Sequence, residues 1–338
     1  MPAGFQPASF TAVSDDDYWL LGSVPCRIGR CSAIVRTTNG GQSFARIPAP
    51  PLPAVSSTGT SPTLRFADRR DGFAFIAGTG GTFFATHDGG ATWHSRAGGT
   101  VLAFATGGGN AYAVTARCSL KGCSAYRFAR SPVSADAWRA TAMPFDLASP
   151  VVNLSARGAN VWFLGSPATQ PSSGRDELAR STDGARTFVT RPGPCFYELG
   201  GTLEPTSGGA VWAVCPTGMA AGAWRSVDGA AAFRPLATPP LVNSAALAPA
   251  SEDTAVLSRN GAGARLLRTT DAGATWTAPS TPRGATFVPW IGFTDANVGL
   301  ALVQTGFDAS AKVEQQSLWR TTDGGAHWST VRVVRATR

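Results

Sequence analysis

The segment Arg320-Thr321-Thr322-Asp323-Gly324-Gly325-Ala326-His327-Trp328 decides the fold, because weaker copies of it recur as far back as Arg36. The copies read RTTNGGQSF (36–44), ATHDGGATW (85–93), RSPVSADAW (130–138), RSTDGARTF (180–188), RSVDGAAAF (225–233), RTTDAGATW (268–276) and RTTDGGAHW (320–328). Their closing aromatics, Phe44, Trp93, Trp138, Phe188, Phe233, Trp276 and Trp328, lie 49, 45, 50, 45, 43 and 52 residues apart. Self-similarity at such a period marks a repeat architecture of seven units.

Each copy has a local mechanical reading. Asp or Asn followed by Gly is turn chemistry: the side chain bonds nearby backbone N–H groups, and Gly takes a positive φ that a Cβ resists. The preceding Thr-Thr suits the end of a strand, and the following aromatic opens the next. Each copy is therefore a hairpin whose Trp or Phe buries about 150–250 Å² between neighbouring sheets.

A second element precedes every copy, an apolar and aromatic strand: Tyr18-Trp19-Leu20-Leu21, Phe73-Ala74-Phe75, Tyr112-Ala113-Val114, Val161-Trp162-Phe163-Leu164, Val211-Trp212-Ala213-Val214, Ala255-Val256-Leu257 and Val298-Gly299-Leu300-Ala301. A further short apolar strand stands upstream of each, marked by Phe10, Phe66, Phe104, Leu154, Leu203, Leu247 and Phe293. Four antiparallel strands in each of seven units predict an all-β, seven-bladed β-propeller, in which radial repetition leaves only short sheet edges. The expected blades are 5–50, 60–98, 99–144, 150–193, 199–239, 243–281 and 287–335, forming one domain over 1–338. Both the first and last units hold all four of their strands, so closure needs no swapped strand, although residues 1–9 could add one.

Charged residues make up 15% of the 338, and 39 Gly with 24 Pro are spread over many short segments, as strands joined by turns require. No run of 18 apolar residues exists, so no membrane span is expected. The formal charge is +8, with Lys121 and Lys312 the only lysines. Arg36, Arg130, Arg180, Arg225, Arg268 and Arg320 each open a repeat, which spaces them around the ring in structural roles between blades. A nucleic-acid binder shows a clustered stripe instead, so no nucleic-acid partner is expected.

Cys26 and Cys31 share one spacing with Cys118 and Cys123, and Cys195 with Cys215 is the pair left over. The spacing lacks that of zinc knuckles, and His87, His94 and His327 are distant in sequence, so three disulfides are expected and no metal or cofactor. Three disulfides imply an oxidising, extracytoplasmic compartment, secreted or periplasmic. The start Met1-Pro2-Ala3-Gly4 lacks the apolar core of an export signal, which we expect to have been removed.

Because strands alternate in direction, the repeat turns between strands three and four share one face with the turns between strands one and two, including Asp15-Asp16-Asp17. The opposite face receives the two-to-three hairpins, all six cysteines, and the long segments 48–62, 165–178 and 304–317. Long loops on a rigid scaffold are where binding usually resides.

The form S/T-x-D-x-G-x-T-W, clearest at Thr86 to Trp93 and Thr321 to Trp328, resembles the Asp-box, or BNR, repeat of sialidases and related propellers. On that resemblance the boxes, with Asn39, Asp88, Asp183, Asp228, Asp271 and Asp323 at their centres, lie at the blade periphery as structural turns. The third copy, Ser131 to Trp138, has lost the Asp-x-Gly core. Seven units preceded by Trp/Phe-Ala-Val strands resemble the photosystem II assembly propellers and their bacterial relatives more than six-bladed sialidases. Sialidase chemistry is not expected: Arg46-Ile47-Pro48 follows the first box instead of preceding it, and adjacent Tyr197 and Glu198 on a strand point to opposite faces. A two-carboxylate glycoside hydrolase would draw on Asp176, Glu177, Glu204, Asp308 and Glu314. Gly107-Gly108-Gly109 reads as a turn, and Trp19, Trp162, Trp212 and Trp290 read as inter-blade core before they read as a sugar platform.

The expected function is therefore a non-catalytic binding scaffold that recognises a protein or glycan partner, acidic in character, on the loop-rich, disulfide-stapled face. The topology collects Arg27, Arg30, Arg117, Lys121, Arg175, Arg259 and Lys312 there. The alternatives are a glycoside hydrolase, sialidase-like or of the two-carboxylate type, and an assembly-factor-like chaperone.

Overall fold

The computed structural model describes residues 1–53, 62–78, 82–242, 245–261, 264–308 and 313–331. Seven antiparallel sheets follow the seven repeats in chain order. Blade 1 is built from Gln6–Ala12, Tyr18–Pro25, Arg30–Thr37 and Ala45–Ile47, each paired with the next. Blades 2 to 5 span 62–97, 100–141, 147–196 and 202–235, and blade 7 spans 287–330, with the same order of four strands; in blade 5 a further short strand, Leu241–Val242, also pairs with the third. Blade 6 differs: strands Leu247–Pro249, Ala255–Arg259 and Arg265–Thr269 are followed not by a fourth strand but by a single antiparallel bridge between Arg268 and Thr277. The first strands of neighbouring blades pack side by side, and those of blades 2 to 7 line a central channel of about 400 Å³.

The second strands are buried on both faces because each lies between two sheets: Tyr18, Trp19, Leu20 and Leu21, and likewise Val211, Trp212 and Ala213, are all fully inaccessible. The core is accordingly seven clusters, one at each blade junction. Trp19, Leu21 and Ile34 meet Leu64, Phe66 and Ala74 between blades 1 and 2. The ring closes where Phe10, Tyr18, Leu20 and Val35 meet Leu300, Leu302 and Leu318 of blade 7. Residues 6–12 pair with blade 1's own second strand, so closure uses no swapped strand among the described residues.

The repeat aromatics obey one rule. Each packs into the junction with the preceding blade: Phe44 with blade 7, Trp93 with blade 1, Trp138 with blade 2, Phe188 with blade 3, Phe233 with blade 4, Trp276 with blade 5 and Trp328 with blade 6. Trp93 and Trp328 make edge-on contacts with Phe66 and Phe293, each at 6.2 Å between centroids, the geometry aromatic quadrupoles favour. Polar side chains stitch the inner strands together as well. The Ser9 and Thr11 hydroxyls accept from the Leu64 and Phe66 N–H groups at 2.9 Å each. Between blades 4 and 5, Ser155 donates to Leu203 O at 2.5 Å and Arg157 Nε to Pro205 O at 3.0 Å. These contacts satisfy strand edges that have no ladder partner at the channel.

Candidate binding face

The two faces of the ring carry different chemistry. Of the 21 acids, eight lie in one-to-two turns (Asp15, Asp16, Asp17, Asp68, Asp71, Glu252, Asp253, Asp295) and six in three-to-four turns (Asp88, Asp136, Asp183, Asp228, Asp271, Asp323). Fourteen acids therefore stand at one end of the molecule, where they are largely spent on structure.

The box turns show how. In the last, Thr321 Oγ1 donates to Asp323 Oδ1 at 2.9 Å and accepts the Gly325 N–H at 3.0 Å, while the His327 N–H donates to the same carboxylate oxygen at 2.9 Å. The pattern repeats at Asn39, Asp88, Asp183, Asp228 and Asp271. The Thr275 hydroxyl, then the Thr275 N–H and the Thr269 hydroxyl, hold Asp271 down to about 2. Gly41 takes φ 89° in this turn, and a Cβ there would fall 2.2 Å from the Tyr18 hydroxyl, so glycine is required twice over.

Four of the repeat arginines reach forward to the next blade. Arg130 donates to Gly184 O at 3.0 Å, Arg180 to Asp228 O at 3.3 Å, Arg268 to Gly324 O at 2.7 Å, and Arg225 to Glu252 O at 2.8 Å and Asp253 at 3.0 Å. Arg36 instead pairs with Asp17 of its own blade at 2.7 Å, over the Trp19 ring at 4.5 Å. The junction between blades 2 and 3 lacks this arginine, since Ala85 occupies its place and the third box is degenerate. A different clasp fills the gap. His87 bonds Asp71 through Nδ1 at 2.7 Å and Asp136 through Nε2 at 2.9 Å, and Arg96 donates to the same Asp136 oxygen through Nε at 2.9 Å.

The opposite face carries the three disulfides, Cys26–Cys31, Cys118–Cys123 and Cys195–Cys215. The first two close hairpin tips in blades 1 and 3. The third ties blade 4's outer strand to the second strand of blade 5 and is fully buried. Of the basic residues expected here, Arg27, Arg117, Lys121 and Arg259 are exposed. Arg30 and Arg175 are committed to the fold. Arg30 donates to Ser23 Oγ at 2.8 Å and Gly4 O at 2.7 Å, while Arg175 donates to Pro194 O and lies over Phe196 at 5.0 Å. Lys312 lies outside the described residues.

What the sequence reading missed are the apolar tips. Ile28 is 87% exposed, Met219 is 92% exposed and Leu120 is fully exposed, each at a two-to-three hairpin tip in blades 1, 5 and 3. Among the described residues, six of the eight exposed large apolar side chains fall on this face, with Val151, Phe196 and Leu199 joining the tips; Val189 and Val227 are on the box face. Their signal in the sequence was the turn itself. Ser119 pairs with Gly122, which forces Leu120 and Lys121 to the apex with no sheet to cover them.

The acids that a hydrolase would need are scattered. Asp176 is buried, accepting from Ser166 at 2.7 Å and the Glu198 N–H at 3.1 Å, and its burial holds the carboxyl above the usual range. Of Asp176, Glu177 and Glu204, the channel is lined by Glu204 alone. Asp308 ends the second strand of blade 7 and Glu314 stands near the start of the third. Trp19, Trp162 and Trp212 are core residues, whereas Trp290 is half-buried and lines the channel.

No protein-family model and no curated protein sequence matches the chain. Solved structures do. A YCF48 bound to D1 peptide aligns over 90% of this chain and 92% of its own, at 17% identity and a TM-score of 0.53. YCF48 from Cyanidioschyzon merolae aligns over 82% and 86%, at 13% identity and a TM-score of 0.54. The uncharacterized protein lmo1340 from Listeria monocytogenes EGD-e aligns over 92% and 93%, at 10% identity and a TM-score of 0.51. At such identities the likeness is one of fold: the chain is a seven-bladed propeller similar in architecture to these three.

Proposed function

We propose that this propeller is a non-catalytic binding scaffold that works outside the cytoplasm and captures a protein segment on its disulfide-bearing face. The observation that carries the reading is the set of three hairpin tips, each presenting a bare aliphatic, Ile28, Leu120 or Met219, two of them locked by a disulfide and flanked by Arg27 or Lys121. A bare aliphatic gains about 1.5–3 kcal/mol when a partner buries it, and a locked tip loses little entropy on docking. With most acids gathered at the other end, the cations here favour an acidic partner with apolar anchors. A YCF48 of the same fold has been captured with D1 peptide, which supports a peptide ligand for the architecture. Arg117 and Arg259 belong to the same surface, and three disulfides agree with a secreted or periplasmic location.

The test is selection from a displayed peptide library. The wild type should enrich sequences that combine Asp or Glu with large apolar residues. A variant carrying Ile28→Ser, Leu120→Ser, Met219→Ser, Arg27→Glu and Lys121→Glu should bind the selected peptides at least tenfold more weakly with an unchanged melting temperature. Equal binding by both proteins would reject this face.

A further inference from the structure

The channel contains a second, unrelated feature. Register aligns one residue from each first strand opposite the same position of the second strand: Thr11, Arg65, Ala105, Ser155, Glu204, Ala248 and Gly292 face Trp19, Phe73, Tyr112, Trp162, Trp212, Val256 and Leu300. Five of the seven are small or short. The two that are long bear opposite charge and come from blades 2 and 5, nearly across the ring. Arg157, two residues beyond Ser155 in blade 4, is held by its Nε against Pro205 O at 3.0 Å, beside Glu204.

Arg65, Arg157 and Glu204 all line the cavity of about 400 Å³. Among the described residues neither Arg65 nor Glu204 has a side-chain hydrogen bond or an ion pair within bonding reach. Both side chains are exposed to solvent within the channel that they line. The neighbouring channel walls thin the water around the Glu204 carboxyl and push it upward, against the pull of Arg65 and Arg157. Charges of both signs that line one concave cavity, and that the fold does not pair directly, can each bond a ligand that enters it.

We propose that the channel is a binding site for a small dicarboxylic amino acid, with its two carboxylates on Arg65 and Arg157 and its ammonium on Glu204. The lining offers two positive charges and one negative, and such a ligand offers the reverse. Planar guanidinium groups suit carboxylates, and the small residues of the ring leave room for the ligand's carbon chain. Phe104 and Trp290 supply apolar wall. The site is independent of the disulfide-bearing face.

The experiment is calorimetric titration of the oxidised protein with L-glutamate, L-aspartate, succinate and L-glutamine, against sodium chloride at matched ionic strength. Glutamate or aspartate should bind saturably at one site per chain, with succinate and glutamine at least tenfold weaker. Arg65→Gln and Arg157→Gln should each weaken binding tenfold or more. Glu204→Gln should abolish the preference for glutamate over succinate and raise the melting temperature more at pH 8 than at pH 5. Binding by the hairpin-tip variant should be unchanged. No saturable heat from either amino acid, or affinities indifferent to all three channel substitutions, would overturn the proposal.

Discussion

Replacing His87 with Gln should destabilise the protein in acid and leave it nearly unaffected in base. Both ring nitrogens face carboxylate oxygens, Asp71 at 2.7 Å and Asp136 at 2.9 Å, so both bonds form together only when the ring is an imidazolium. Partial burial pushes His87 down, but the hydrogen bonds to Asp136 and Asp71 and their charges outweigh it, and the net effect is upward. Arg70, whose Nε lies 3.4 Å from His87 O, and Arg96, on Asp136, are the cations of the cluster. A charge-assisted bond in a buried site contributes about 1.5–3 kcal/mol. His87 is 30% exposed, so solvent screening brings the pair together down to about 1 kcal/mol. That contribution is fully present below the unfolded histidine value, about 6.5, and is lost as pH rises through the higher folded value. With 338 residues, about 1 kcal/mol corresponds to about 1.5 °C. Calorimetry should therefore show a melting loss of that size for His87→Gln at pH 5.5 and almost none at pH 9. The chain has three histidines, so proton NMR can follow each one. His87 should titrate above the ordinary histidine value, and Asp136→Asn, at a position whose φ of 46° Asn tolerates, should lower it. A His87 that titrates at or below the ordinary value, or a loss at pH 9 as large as at pH 5.5, would refute the reasoning.

Two further outcomes follow from the same contacts. Thr321→Ala strips the buried Gly325 N–H of its acceptor and should cost about 1–3 kcal/mol in urea unfolding, whereas the partly exposed Asp323→Asn should cost less. Limited reduction followed by alkylation and mass measurement should label four cysteines before six, because Cys195 and Cys215 are fully buried while the two short bridges are solvent-accessible; replacing that buried pair by Ser should cost about 3 kcal/mol for a loop closed over 20 residues.

The blades were legible because the box is a local device. Its Asp, its hydroxyl and its glycines lie within five residues of one another, and a seven-fold repetition makes even a degenerate copy such as Ser131 to Trp138 readable by position. The cysteine pairs were legible for the same reason, their partners lying at one end of adjoining strands. The binding candidates were not, since exposure depends on what a long side chain finds nearby. Arg30 and Arg175 each meet carbonyls across a turn or a terminus and are used up, while Leu120, apolar in a strand-like run, stands bare at the apex. Longer range hides more: Arg65 and Glu204 share a ring only through strand register, and His87 meets Asp136 across 49 residues.

Those contacts also explain how the junction between blades 2 and 3 is held without an arginine. In blades 3 to 6 the repeat segment grips both neighbours: the aromatic fills the gap behind, and the arginine crosses to the blade ahead. Trp138 keeps its place behind blade 3 although the Asp-x-Gly core is gone, because burial between Phe73, Phe83 and Phe104 does not need the turn. The forward grip cannot survive in the same way. An arginine at position 85 would reach for a box carbonyl, and the degenerate turn presents Asp136 instead. A carboxylate needs a cation, and His87 with Arg96 supplies it from the blade behind. Ala85 and the degenerate turn therefore meet at one junction, where, among the described residues, a histidine bridges the two blades and its charge sets the strength of the grip.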